Sequence, residues 1–241
     1  MKLCIEGGGV ELSASLLDKL RGKFIVFDGV DGAGKGSQIQ LLAKAMEEVG
    51  VVTARDPGGT VIGDRIRHVL LDYDLSQMDP RCEALLFMAS RAQLMREVIE
   101  PALAEGKAVI CDRFVSATCA YQGAAGLDPK NVIELARFAI GTNWPHATIV
   151  LDVPPEVGFE RTGHKAKSKR RAADVTGQVR LFHDTHADAM EARPMAFHER
   201  VRKMFLELQT YYPAPVAVVD AAASHEEVHG RVMEALDRAI R

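Results

Sequence analysis

"FIVFDGVDGAGKGSQIQLL" spans residues 24–42 and raises the question on which the fold turns. An apolar run ends in a glycine-rich turn, then a lysine, then a stretch with helical spacing. A buried strand followed by such a turn and a helix aims several backbone N–H groups at one point, and the helix dipole adds positive potential there. Gly29 through Gly34 and Lys35 satisfy the phosphate-loop pattern G-x-x-x-x-G-K-[ST] up to its last place, where Gly36 stands instead of a hydroxyl. The expected phosphate cradle is Gly29, Val30, Asp31, Gly32, Ala33, Gly34, Lys35, Gly36 and Ser37, with Lys35 reaching the outer phosphates. Gly36 does not forbid catalysis, because magnesium keeps several waters and can be held through them.

Working outward, four more apolar runs share the character of the first: "VVTAR" (51–55), "AVICD" (108–112), "TIVLDV" (148–153) and "VAVVD" (216–220). They are rich in β-branched residues and nearly continuous in hydrophobicity, as parallel strands covered on both faces must be. Helical patterns lie between them. Asp79 and Pro80 predict an N-cap and first turn, Gly106 closes that segment, Pro129 opens a helix that Gly141 ends, and Ser224 with Glu227 forms a capping box. The fold class is therefore α/β, a five-stranded doubly wound parallel sheet with ligands at the strands' carboxyl ends.

Residues 1–22 precede the first strand and read as an N-terminal arm; residues 23–241 read as one domain with a weakly patterned, basic excursion at about 162–194. A chain of 241 residues with 47% hydrophobic residues can bury a large core, and a net charge of −3 argues against a dedicated nucleic-acid or membrane binder. No apolar stretch approaches membrane-spanning length and the N-terminus lacks a secretion signal, so a cytoplasmic location is expected. Cys4, Cys82, Cys111 and Cys119 form no C-x-x-C pair, and reduced, buried thiols are the simplest reading. His183 and His186, near Asp184 and Asp188, lack further ligand spacing and read as solvated loop residues.

Four further strings recur in order after the loop: "RDPGGTVIGDRIRHVLL", "ALLFMASRAQLMREVIEPAL", "DRFVSATCAYQG" and "LDVPPEVGFER". With "GVDGAGK" they resemble the thymidylate kinase family of P-loop nucleoside monophosphate kinases, over about residues 23–161 and again near 197–208. "GKGSQ" also resembles the "GKGTQ" of adenylate kinases, a working family with glycine at the place of Gly36. The resemblance implies transfer of the γ-phosphoryl of ATP to dTMP with Mg2+ as cofactor, a homodimer, and a lid at about 162–194. It implies that Asp112 helps to hold magnesium, that Arg113 grips the acceptor phosphate, and that Asp31, Asp56 and Arg67 lie along the acceptor's sugar and phosphate. Asp112 and Arg113 directly follow "AVIC", where a mere surface pair is poorly explained. Phe87 and Arg91 are four apart and share a helix face; the resemblance has them stack on thymine and bond its carbonyl edge. Tyr121 and Gln122 would crowd the ribose 2′ side and approach the base. Gly32 occupies a place where some members carry an arginine, so the donor-side cation is sought among Arg161, Arg170, Arg171 and Arg180. A family "DR-x-E" string stands here as "DAME" (188–191), which leaves that cation open.

Two other readings compete. Gly36 and the altered lid would suit a nucleotide-binding protein that has lost catalysis, and "KAKSKRR" would suit a DNA binder with salt-dependent affinity.

Overall fold

The computed structural model describes residues 14–71, 78–163 and 193–240. α1 (Ala14–Leu20) leads into β1 (Phe24–Asp28), the phosphate-loop turn and α2 (Lys35–Ala45). β2 (Val51–Arg55) and α3 (Val61–Leu71) are followed by α4 (Pro80–Leu94), a π-helical turn at Met95–Ile99, and α5 (Glu100–Ala104). β3 (Ala108–Asp112), α6 (Val115–Ala124), α7 (Pro129–Ile140), β4 (Ala147–Asp152) and α8 (Pro155–Thr162) come next. The chain closes with α9 (Met195–Glu207), β5 (Val216–Asp220) and α10 (His225–Ala239).

All strand pairings are parallel, in the order β2-β3-β1-β4-β5. The expected α/β class and strand number hold, with β4 beginning one residue earlier than the apolar run suggested. Phe24, Ile25, Val26 and Phe27 of the central strand are fully buried, which is why this segment reads as an unbroken apolar run. The edge strands differ from the expectation of cover on both faces: β2 mixes half-buried and exposed positions, and among the described residues no strand lies beyond it.

The helix ends follow their chemistry. Asp79 and Asp128 each accept a backbone N–H two residues on, ahead of Pro80 and Pro129. Ser224 and Glu227 complete the capping box. The segment predicted to run to Gly106 is interrupted by the π-helical turn just before Pro101, which has no N–H to donate to the carbonyl four residues earlier.

The arm predicted at 1–22 is described only from residue 14, and that part is packed into the domain. Leu16 and Leu20 join the hydrophobic core, and Lys19 pairs with Asp237 of α10 at 2.6 Å. Of the cysteines, Cys111 and Cys119 are buried as free thiols, but Cys82 is exposed, since it lies on the outer side of α4. Cys4, His183, His186 and nearly all of the expected lid, with Arg170, Arg171 and Arg180, lie outside the described residues.

Candidate active site

The carboxyl ends of β1, β2 and β3 open into a cavity of about 440 Å³ where the sheet's winding reverses, the place at which doubly wound folds bind ligands. Its floor is the turn between β1 and α2. Gly32 and Gly34 take φ of 75° and 91°, a left-handed backbone that side chains disfavour. Gly34 precedes α2 without a side-chain cap, so the first-turn N–H groups are available to an anion. Gly32 meets α8 backbone to backbone: a Cβ there would lie 2.1 Å from the Gly158 carbonyl oxygen. An arginine at this place is therefore excluded unless α8 moves. A Cβ on Gly36, by contrast, would meet nothing within 4 Å.

Lys35 is 8% exposed, and its Nζ donates to the carbonyls of Gly29 at 3.2 Å and Val30 at 3.1 Å, inside the loop it follows. Burial, and then the nearby Arg113 charge, lower its pKa below the ordinary lysine value, while Asp31, Asp112 and Asp28 pull it back.

Arg113 is the hub. It adopts φ of 65°, a conformation rare outside glycine, of the kind that concentrates at functional sites. Its guanidinium donates to Asp31, to the Gly29 carbonyl at 3.1 Å and to Asp28 Oδ1 at 3.4 Å, and lies 5.2 Å from the centre of the Tyr121 ring. The Tyr121 hydroxyl in turn donates to Asp31 Oδ2 at 3.0 Å. Burial pushes the Asp31 carboxyl up, but Arg113, Lys35 and Tyr121 outweigh it and hold the pKa at about 2. Asp28, fully buried, also receives the Ser116 hydroxyl at 2.6 Å; burial dominates there and raises its pKa despite Arg113.

The rest of the cavity wall comes from the turn after β2 and from α3, α4 and α6. Asp56, Pro57, Arg67, Leu71, Phe87 and Arg91 share the cavity wall with Ala117, Thr118, Tyr121 and Gln122. Arg67 donates to the Pro57 carbonyl at 2.9 Å. Arg91, expected at the base edge, is held within the protein: its side chain is 0% exposed and binds Asp56 Oδ2 through Nε at 2.9 Å and Nη2 at 2.5 Å. It also donates to the Phe114 carbonyl at 3.0 Å and the Thr118 hydroxyl at 3.2 Å. Most of its donors are thus committed to the protein, which fixes the guanidinium in place. Asp112 lines the same cavity, and its Oδ1 is buried without a hydrogen-bond partner among the described residues. Arg161, at the end of α8, donates to the Ala221 carbonyl at 3.2 Å and reaches the Gly32 carbonyl at 3.5 Å.

Sequence reading missed Asp28, Ser116, Ala117, Thr118, Glu83 and Gly158. A signal existed for Ala117 and Thr118, which lie four residues before Tyr121 and Gln122 on one helix face, and for Glu83, four residues before Phe87. No local pattern singles out Asp28, Ser116 or Gly158.

The family model for thymidylate kinase matches residues 27–232. The thymidylate kinase of Desulfosudis oleivorans is 44% identical over 219 residues, 89% of this chain and 96% of that protein. That of Syntrophotalea carbinolica is 40% identical, over 87% and 92%. The solved thymidylate kinase of Ehrlichia chaffeensis superposes with a TM-score of 0.66 at 28% identity, over 90% of this chain and 99% of that one. A phosphate loop beside a walled cavity and likeness along nearly the whole chain agree: this chain belongs to the thymidylate kinase family.

Proposed function

We propose that the chain transfers the γ-phosphoryl group of ATP to dTMP, giving dTDP and ADP. The observation that carries this reading is that one cavity joins the phosphate loop to the wall formed by Phe87, Arg91 and Tyr121. Phosphoryl transfer needs positioning and charge neutralisation more than covalent help. The loop N–H groups and Lys35 hold the donor's outer phosphates. Arg113, braced by Asp28 and Asp31, grips the acceptor phosphate and aims one of its oxygens at the γ-phosphorus. That oxygen attacks while the bond to the ADP oxygen breaks. The acceptor phosphate is ionised near neutral pH, so no protein base is required.

Magnesium arriving with ATP would be met by Asp112, since a buried carboxylate oxygen with no other partner suits a hard cation that keeps most of its waters. Held there, magnesium would supply charge neutralisation for the transferring phosphates. Arg161, beside the loop at Gly32, is the described candidate for the donor-side cation. Phe87 and the immobilised Arg91 face the base, and Tyr121 blocks a ribose 2′-hydroxyl, which would find neither room nor a partner.

A homodimer through α3 and α4 accompanies this reading. Val61, Ile62 and Val69 on α3 and Leu85 on α4 are large apolar residues left 40–72% exposed, and those two helices pack together. No helix among the described residues is long and apolar enough to cross a membrane, which is compatible with work in the cytoplasm.

The test is ADP release with dTMP, dUMP, UMP, dCMP and AMP as acceptors, on the wild type and on Lys35→Ala. Turnover with dTMP should be strongest and should fall at least a hundredfold in the variant, about 3 kcal/mol of transition-state stabilisation. Equal use of AMP and dTMP would leave a broader nucleoside monophosphate kinase.

A further inference from the structure

We infer that Glu83 is a positioning residue for base selection: it turns the Gln122 carboxamide so that the oxygen, and not the nitrogen, is left for the acceptor base. This rests on the reading that the base lies in the cavity lined by Phe87 and Gln122.

Glu83, Phe87 and Arg91 stand at intervals of four on α4, so they form one stripe, and α4 packs on α6. Phe87 and Arg91 line the cavity; Glu83 sits behind it, its side chain 1% exposed. Both carboxylate oxygens of Glu83 are in use. Oε1 accepts from Arg193 Nη2 at 2.5 Å, and Oε2 accepts from Gln122 Nε2 at 2.9 Å. A carboxylate paired with arginine can only accept, so Gln122 must offer it the NH2 end. The opposite amide orientation would set oxygen against oxygen. What remains is Gln122 Oε1, buried and without a partner among the described residues, on a side chain that lines the cavity.

A buried carbonyl without a donor is costly, and a ligand N–H can relieve that cost. The class of base that does so carries a ring N–H on its pairing edge. Thymine and uracil present N3–H. Cytosine presents an unprotonated N3 whose lone pair would oppose the Gln122 oxygen. Glu83 thereby contributes to discrimination without touching the nucleotide, and Gln122 is the residue through which it acts.

The experiment compares kcat/KM for dTMP and dCMP in Glu83→Gln, Gln122→Leu, the double variant and Phe87→Ala. In Glu83→Gln the neighbour at position 83 no longer dictates the amide, so the dTMP/dCMP ratio should fall at least tenfold. Gln122→Leu should lower the ratio similarly with the Glu83–Arg193 pair intact, and adding Glu83→Gln to it should lower it no further. A merely structural role for Glu83 would depress both substrates alike; an unchanged ratio in Glu83→Gln overturns the inference. Should Glu83→Gln fail to fold, an unchanged ratio in Gln122→Leu overturns it equally. Phe87→Ala separates the underlying reading: KM should rise for both nucleotides, and an unaltered KM for both would remove the base from this cavity.

Discussion

Substituting Arg91 by alanine leaves Asp56 only 2% exposed and without the two N–H groups that hold its Oδ2. Breaking one side of a buried ion pair costs about 3–5 kcal/mol, because the remaining charge is neither solvated nor paired. Arg91→Ala should therefore destabilise the fold by an amount of that order, on top of any loss in dTMP use. Urea unfolding of Arg91→Ala, Asp56→Ala and the double variant checks this: the double variant should be less destabilised than the sum of the singles. Asp31 gives a pH signature of its own. Its pKa falls from the usual 3.8 to about 2 on folding, so its stabilisation is complete above pH 3.8 and is lost as pH falls through about 2. The shift corresponds to about 2 kcal/mol, so stability measured between about pH 5 and pH 2 should decline less steeply in Asp31→Asn than in the wild type. Parallel curves would show that Arg113 and Lys35 do not hold this carboxylate.

At the scale of elements, the contact between the phosphate-loop turn and α8 has no slack. A Cβ on Gly158 would sit 2.1 Å from the Asp31 carbonyl oxygen, so Gly158→Ala must displace either the helix or the loop. Displacing catalytic groups by about 1 Å can cost a hundredfold in rate, and turnover should fall by about that much. Gly230→Ala on α10, where a Cβ would meet nothing within 4 Å, should leave turnover unchanged. Steady-state kinetics on the two variants measure the contrast. Wild-type turnover in Gly158→Ala would mean that the loop tolerates movement that its backbone packing forbids. The same close approach explains why Gly32 cannot carry an arginine here unless α8 moves.

For the molecule as a whole, the site occupies one end of the sheet and α1 the other. Leu20 is fully buried and precedes β1 at its amino end, whereas the phosphate loop follows the carboxyl end of that strand. Leu20→Ala should lower global stability by about 2–5 kcal/mol through lost burial and the cavity left behind, while kcat of the folded enzyme stays within about twofold. Thermal unfolding with and without α1 substitutions, read beside initial rates, checks the separation. The exposed Lys19–Asp237 pair adds little by comparison, since its charges remain in water.

Local pattern carried the strands, the helix caps and the phosphate-loop turn. Runs such as "FIVFD", proline after aspartate, and glycines at fixed offsets each impose their geometry within a few residues, so the five-stranded parallel sheet is legible in the sequence. The cluster at the strand ends was legible in part: Asp31, Lys35, Phe87, Arg91, Asp112, Arg113, Tyr121 and Gln122 could be named, and the structure gathers them round one cavity. Their pairings were not. Arg91 meets Asp56 across 35 residues, Gln122 meets Glu83 across 39, and Arg113 meets Asp28 across 85. Gly158 shows its necessity only where it touches Asp31. Such pairings depend on which helices the parallel crossovers lay side by side, and on which charges that packing strips of water. Sequence spacing sets the elements and the chemistry they bear; only the tertiary structure decides which buried charge faces which.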